Sequence, residues 1–137
     1  MKAMKNRGEA RTKESAVILV VEDDHSLSEA YQLILRKVGY TVHVAFNGAE
    51  GLKLAEQVKP ALILLDLRMP VMDGLEFLRR YQPLDKHLDV RIIVFSNYDM
   101  QKEIDEAYQL GADRYFMKAL ASPNELIQAV RATLANE

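Results

Sequence analysis

Short apolar runs alternate five times with stretches of helical spacing along this chain of 137 residues. Between the runs, apolar residues recur three and four positions apart, as on the buried face of an amphipathic helix. This rhythm predicts an α/β fold, a doubly wound five-stranded parallel sheet with five helices on its two faces. The predicted strands are 17–21 (VILVV), 41–46 (TVHVAF), 61–65 (ALILL), 90–95 (VRIIVF) and 114–117 (RYFM).

The composition of the runs predicts their places in the sheet. The runs 17–21, 61–65 and 90–95 are nearly all apolar, as expected for parallel strands covered on both faces. The run 41–46 contains Thr41 and His43, which favours an edge position.

Helix boundaries are signalled by caps. The first helix is predicted to begin at a capping box, Ser26-x-x-Glu29, and to end at Gly39. The fourth helix is predicted from about Asp99 to Leu110, and 83–89 is interpreted as a polar loop. The other predicted helix starts are Asn47-x-x-Glu50, Asp73-x-x-Glu76 and the capping box Ser122-Pro123-Asn124-Glu125.

Charge divides the chain into two parts. Residues 1–15 carry five cations and two carboxylates, a net charge of +3, which leaves −5 for the rest of the total of −2. We expect 1–15 to be a disordered basic leader, because it has almost no apolar residues, and 16–137 to form a single domain with no further domain after it.

The net charge of −2 favours neither nucleic acid nor a membrane as a partner. With no cysteine and no signal peptide or membrane-spanning run, the cytoplasm is the expected compartment.

Polar groups follow four of the five predicted strands. They are Glu22-Asp23-Asp24, Asp66, Ser96-Asn97 and Lys118. Parallel α/β sheets bind ligands beyond the carboxyl ends of their strands, so these groups are expected to share one rim. Clustered carboxylates disfavour one another's ionisation, and a hard divalent cation such as Mg²⁺ would relieve that repulsion. Beside a metal, a hydroxyl and an ammonium, an aspartate can act as a nucleophile toward phosphorus.

Each of these residues also has a purely structural interpretation. Asp24 can serve only as a helix cap, a strand-end aspartate is more often structural than catalytic, and a strand-end serine is usually a turn residue. A lysine after a strand is usually solvated. Their joint occurrence in this order favours a functional site.

The chain over about residues 16–135 resembles the receiver domain of two-component response regulators. The stretches that carry the resemblance are VILVVEDDHSL, ALILLDLRMPVMDGLEFL, RIIVFSNYD and GADRYFMKALASPNEL. The resemblance implies strand order 2-1-3-4-5 in a flavodoxin-like three-layer sandwich. It also implies a cytoplasmic, Mg²⁺- or Mn²⁺-dependent switch that catalyses only its own phosphorylation and dephosphorylation.

The resemblance implies a role for each matching position. Asp66 would be the phosphoacceptor, and Ser96 and Lys118 would be the switch hydroxyl and the phosphate-binding lysine. Tyr115 would be the switch aromatic, moving with Ser96 to alter the face of the fourth helix, fifth strand and fifth helix. The metal ligands would be Glu22, Asp23, Asp66 and the backbone carbonyl of Arg68.

Partners follow from the same resemblance. A sensor histidine kinase or phosphotransfer protein would donate the phosphoryl group, and a downstream protein effector would respond to it. The protein would be a monomer or a weak dimer through the fourth helix, fifth strand and fifth helix.

Three positions depart from the family pattern. Ala119 follows the lysine where proline, often in cis, is usual, so either a costly cis bond persists or Lys118 is re-aimed. Pro123 comes one residue later than usual, and Asn97 stands where a small residue normally follows the switch hydroxyl. Arg68 and Tyr98 each come two residues after a key group, so the resemblance implies that they would flank the approach of water to the phosphoryl group. Their bulk predicts slow self-dephosphorylation.

Rival functions have weaker support. A receiver-like interaction module without phosphorylation is the alternative, but the full set of site residues argues against it. An aspartate-dependent phosphatase usually has a second aspartate two residues on, where this chain has Arg68. A flavin carrier would need a phosphate-binding loop after the first strand, and acids there would repel phosphate. A transcription factor would need a DNA-binding domain beyond residue 137, and we expect none.

Overall fold

The computed structural model describes residues 16–96, 100–118 and 122–135, and these form one five-stranded parallel sheet flanked by helices. The strands are β1 (Val17–Val21), β2 (Thr41–Ala45), β3 (Leu62–Asp66), β4 (Arg91–Ser96) and β5 (Arg114–Met117). The principal helices are α1 (His25–Lys37), α2 (Gly48–Val58), α3 (Gly74–Tyr81), α4 (Gln101–Gln109) and α5 (Pro123–Ala135). The strand order is β2-β1-β3-β4-β5, which confirms the predicted α/β class, the order and the edge position of β2.

Two apolar layers follow from the alternation of side chains along each strand. On β3, Leu62 and Leu64 face one layer, whereas Ile63 and Leu65 face the other. The first layer packs against residues of α1 and α5, and the second against residues of α2, α3 and α4. All four leucine and isoleucine side chains are fully buried, so β3 is a central strand covered on both faces.

The start of α1 corrects the predicted capping box. The N-cap is Asp24, whose Oδ1 accepts a hydrogen bond from the backbone N–H of Leu27 at 3.1 Å. Ser26 and Glu29 lie inside the helix instead. Asp24 therefore satisfies the first turn two residues earlier than expected, because an aspartate is as good a cap as a serine.

Two predicted caps and the final capping box are confirmed. Asn47 and Asp73 accept hydrogen bonds from the backbone N–H groups three residues on, at 2.9 Å in both cases. At the start of α5, Ser122 Oγ accepts from Glu125 N, and Ser122 N donates to Glu125 Oε1. These reciprocal bonds fix the direction in which α5 leaves the rim of the sheet.

Other boundaries differ by a few residues. The stretch predicted as a polar loop contains one helical turn, Pro83–Lys86, which begins with proline at the first helical position. The fourth helix begins at Gln101, and Asp99 lies outside the described residues, as does the predicted leader 1–15. Within the three described ranges, no helix has the length and hydropathy needed to cross a bilayer.

Candidate functional site: an acidic rim with a buried lysine

The carboxyl ends of β1, β3, β4 and β5 bring the predicted site residues around one cavity. Strands β3 and β4 each begin and end one residue later than expected, so Asp66 and Ser96 are the last residues of their strands. The cavity has a volume of about 290 Å³. It is lined by Glu22, Asp23, Asp24, Asp66, Arg68, Ser96, Met100 and Lys118.

Lys118 links two of the carboxylates. Its Nζ lies 2.7 Å from Oε1 of Glu22 and 3.0 Å from Oδ2 of Asp66. The side chain of Lys118 is only 9% exposed, and its Nζ lies 5.2 Å from the centre of the Phe95 ring. The predicted meeting of Lys118 and Asp66 is therefore present, although Ala119 and its peptide bond lie outside the described residues.

Burial and charge act in opposite directions on these groups. Burial, with the nearby charge of Asp66, raises the pKa of Glu22 to about 7, although Lys118 and the backbone N–H of Asp24 lower it. Burial also raises the pKa of Asp66, and Lys118 only partly offsets that effect. Burial by itself lowers the pKa of Lys118, but its contacts with the two carboxylates outweigh that effect and raise it. Burial at this site thus disfavours the charged forms of Glu22 and Asp66.

The carboxylates have the geometry of a cation site. Single oxygen atoms of Glu22, Asp23 and Asp66 lie within 4.8 Å of one another. Among the described residues that line the cavity, four carboxylates accompany two cations, Lys118 and Arg68, so the negative charge exceeds the positive charge. Mg²⁺ and Mn²⁺ prefer oxygen ligands of this kind. The donor set therefore fits a hard divalent cation, and Arg68 lines the same cavity.

The loop after Asp66 is held close to the strand. The backbone N–H of Arg68 donates to Oδ1 of Asp66 at 3.2 Å, and Gly74 N donates to the Leu67 carbonyl at 3.1 Å. A Cβ atom at Gly74 would lie 2.5 Å from the Asp66 carbonyl oxygen, so only glycine fits there. Together these contacts orient the Asp66 carboxylate toward the cavity.

The two predicted switch residues, Ser96 and Tyr115, lie on strands β4 and β5. Ser96 is buried at the cavity wall. Tyr115 is half-buried on the edge strand β5 and packs against the apolar layer that includes α4 residues. Asn97 and Tyr98 lie outside the described residues. Ser96 and Tyr115 are thus on neighbouring strands, with Tyr115 beside Val94.

Sequence reasoning missed three neighbours of the site. Met100 lines the cavity, Phe95 underlies Lys118, and Glu103 pairs with Arg68 at 3.3 Å. Phe95 lies inside an apolar run, and Glu103 lies on a predicted helix far along the chain from Arg68. Only the tertiary fold brings them to the site, and the sequence carries no local signal for that contact.

The family profile of the response regulator receiver domain matches residues 18–131. The chain belongs to the response regulator receiver family. Receiver domains are signalling switches of two-component systems rather than conventional enzymes, and the predicted family and class of function are confirmed. The non-phosphorylated interaction module is correspondingly less favoured.

Individual relatives agree with this assignment. The nitrate/nitrite response regulator NarL of Escherichia coli K12 is 39% identical over 127 residues, covering 91% of this chain and 57% of NarL. Sporulation initiation phosphotransferase F of Bacillus subtilis is 34% identical, covering 74% of this chain and 80% of that protein. The chain thus spans little more than half the length of NarL.

Solved structures show the same architecture. Chemotaxis protein CheY4 of Vibrio cholerae superimposes with a TM-score of 0.80 at 25% identity, covering 87% of this chain and 98% of that one. A CheY-like receiver domain from Methanospirillum hungatei gives 0.81 at 29% identity, covering 88% and 94%. Both support the flavodoxin-like layering described above.

Proposed function

We propose that this receiver domain takes a phosphoryl group from a histidine kinase or phosphotransfer protein onto Asp66. The observation that carries the proposal is the buried Lys118 ammonium, placed within 3.0 Å of both Glu22 and Asp66. A relative named as a phosphotransferase, with 80% of its length matched, supports the same chemistry.

The proposed phosphoryl transfer uses the side chains that line the cavity. An oxygen of Asp66 attacks the phosphorus of the donor's phosphohistidine, and the phosphorus–nitrogen bond breaks. The electron pair of that bond stays on the imidazole nitrogen, which takes up a proton. A mixed carboxylic–phosphoric anhydride is left on Asp66. Lys118 can donate hydrogen bonds to the phosphoryl oxygens and stabilise their charge.

We propose Glu22, Asp23, Asp66 and the backbone carbonyl of Arg68 as the residues that hold Mg²⁺ or Mn²⁺. The bound cation would supply positive charge at the carboxylates and at the transferring phosphoryl oxygens. Asp23 is the most exposed of the three carboxylates, which suits the open side of a metal shell. Glu22 is buried against Lys118 and would act through water.

The output of the switch is proposed to be the face of α4, β5 and α5. The Ser96 hydroxyl would donate a hydrogen bond to a phosphoryl oxygen, and Tyr115 would then move inward after Ser96. A downstream protein effector would bind the altered face, and the same face would serve a weak dimer. The domain would catalyse only its own phosphorylation and dephosphorylation, in the cytoplasm.

A small acyl phosphate tests the proposed function without knowledge of the kinase. We expect a phosphoryl adduct by intact mass when Mg²⁺ or Mn²⁺ is present, and little or none after chelation. The matched variant is Asp23→Asn, which removes one proposed metal ligand and is expected to require more metal for the same rate. A chain that forms no adduct under any metal condition would instead be an interaction module.

Phosphoryl lifetime gives a separate prediction. Arg68 has an exposed side chain beside the cavity, and with Tyr98 it is expected to hinder the attacking water. Replacing both residues by alanine is therefore expected to shorten the half-life of the adduct, by about tenfold if the hindrance is worth about 1.4 kcal/mol. Decay of the adduct after donor removal measures this. An unchanged half-life in the double variant would contradict the prediction.

A further inference from the structure

A second cavity adjoins the acidic rim. Its volume is about 310 Å³. It is lined by Leu67, Arg68, Met69, Asp73, Leu75, Met100 and Glu103. Arg68 and Met100 also line the acidic cavity. Arg68 therefore stands between the proposed phosphorylation site and the start of α4, the helix that carries Glu103.

Arg68 contacts both the proposed phosphoacceptor and helix α4. Its backbone N–H donates to Oδ1 of Asp66 at 3.2 Å, so its position follows the phosphoacceptor. Its guanidinium Nη2 lies 3.3 Å from Oε2 of Glu103 in the first turn of α4. The side chains of Arg68 and Glu103 are 70% and 34% exposed. Exposed pairs of this kind change an equilibrium by a factor of only about two to five.

A phosphoryl group on Asp66 would compete for the same guanidinium. It adds negative charge and acceptor oxygens at the adjoining cavity, and arginine binds phosphoryl oxygens with two parallel hydrogen bonds. We infer that Arg68 exchanges Glu103 for the phosphoryl group on Asp66, and that this exchange releases the first turn of α4. The inference rests on the proposed phosphorylation of Asp66.

The exchange would act on one end of α4. A second ion pair, between Glu106 of α4 and Arg79 of α3, lies further along the helix. Ile104 and Ala107 are buried in the core, and they hold the helix to the sheet in either state. Glu103 remains near the helix N-terminus, where a carboxylate is favourable without a partner. The expected change is therefore a local loosening rather than unfolding of α4.

Hydrogen exchange of the α4 backbone amides tests the inference, with the adduct of every sample quantified by intact mass. In the wild type, phosphorylation is expected to speed exchange in the first turn of α4 about two- to five-fold. Glu103→Gln is expected to show most of that increase before phosphorylation and little further change after it. The charge-swapped double variant Arg68→Glu with Glu103→Arg keeps an ion pair, and its exchange is expected not to rise on phosphorylation.

Glu106→Gln is the matched control, because it breaks the ion pair of Glu106 with Arg79 of α3, whereas Arg68 lies in the loop before α3. It is expected to keep the phosphorylation-dependent increase. The inference would be overturned if phosphorylation sped exchange in the first turn of α4 equally in the wild type, in Glu103→Gln and in the double variant. That outcome would leave the proposed function standing, because all three proteins would carry the adduct. Absence of any adduct in the wild type would overturn the proposed function, and the inference with it.

Discussion

Replacing Lys118 by alanine is expected to slow phosphorylation of the domain by a factor on the order of 10²–10³, the usual effect of removing one preorganised donor from a developing anion. The expectation follows from position, since Nζ lies 3.0 Å from the Asp66 oxygen and the side chain is 9% exposed. A buried, fixed ammonium stabilises transferring charge far better than a solvated one. The initial rate of adduct formation with an acyl phosphate measures the effect.

Lys102→Ala is the matched control for Lys118→Ala. Lys102 is an exposed lysine of α4 and lines neither cavity, so its loss removes the same charge without touching the site. We expect its rate to stay within about twofold of the wild type, as for a distant screened charge. A Lys118→Ala rate equally close to the wild type, in a folded variant, would exclude the assigned role of Lys118.

Replacing Leu64 by alanine is expected to lower the free energy of unfolding by roughly 2–5 kcal/mol. Leu64 is 0% exposed in the middle of β3, and it packs with residues of β1, β4, α1 and α5. The loss combines the transfer free energy of the removed atoms with the cavity left behind. Urea unfolding monitored by circular dichroism gives the value, provided that the m-value is unchanged.

Leu33→Ala is the control for the Leu64 prediction. Leu33 lies on the outer face of α1 and is 64% exposed, and alanine is at least as good a helix former as leucine. Its substitution is expected to change the free energy of unfolding by no more than about 0.5 kcal/mol. Equal losses in the two variants would contradict the burial of β3 on the face covered by α1 and α5.

The fold was largely predictable because two independent patterns agree. Apolar runs such as 61–65 are too apolar for a half-exposed strand, and the intervening stretches repeat with helical spacing. Only a parallel sheet covered on both faces satisfies both patterns. The mixed run at 41–46 then leaves the edge position for β2, as the structure has it.

Local competition explains the errors at element ends. Asp24 and Ser26 are both good caps two residues apart, and Asp24 prevails where the chain leaves β1. The turn Pro83–Lys86 forms where polar residues suggested a loop. There Pro83 is buried, and a Cβ atom at Gly111 would lie 2.7 Å from its Cγ, so only glycine fits at Gly111. Such contacts depend on distant segments and leave no trace in a local window of sequence.

The functional site also has some features that the sequence predicts and others that only the structure reveals. Glu22, Asp66 and Lys118 could be placed at one rim because strand ends in a parallel sheet converge. The pairing of Arg68 with Glu103, and the place of Phe95 beneath Lys118, depend on side-chain geometry across 35 and 23 residues of chain. These contacts required the structure, because no local sequence pattern joins the residues concerned.

Intact mass of the wild type and of Asp66→Asn, each incubated with an acyl phosphate and Mg²⁺, tests the central claim most directly. The asparagine side chain matches aspartate in size, so it keeps the shape of the cavity while removing the nucleophilic carboxylate. We predict an increase of one phosphoryl group in the wild type and no increase in Asp66→Asn. An equal, metal-dependent increase in both proteins would contradict the assignment of Asp66 as the phosphoacceptor.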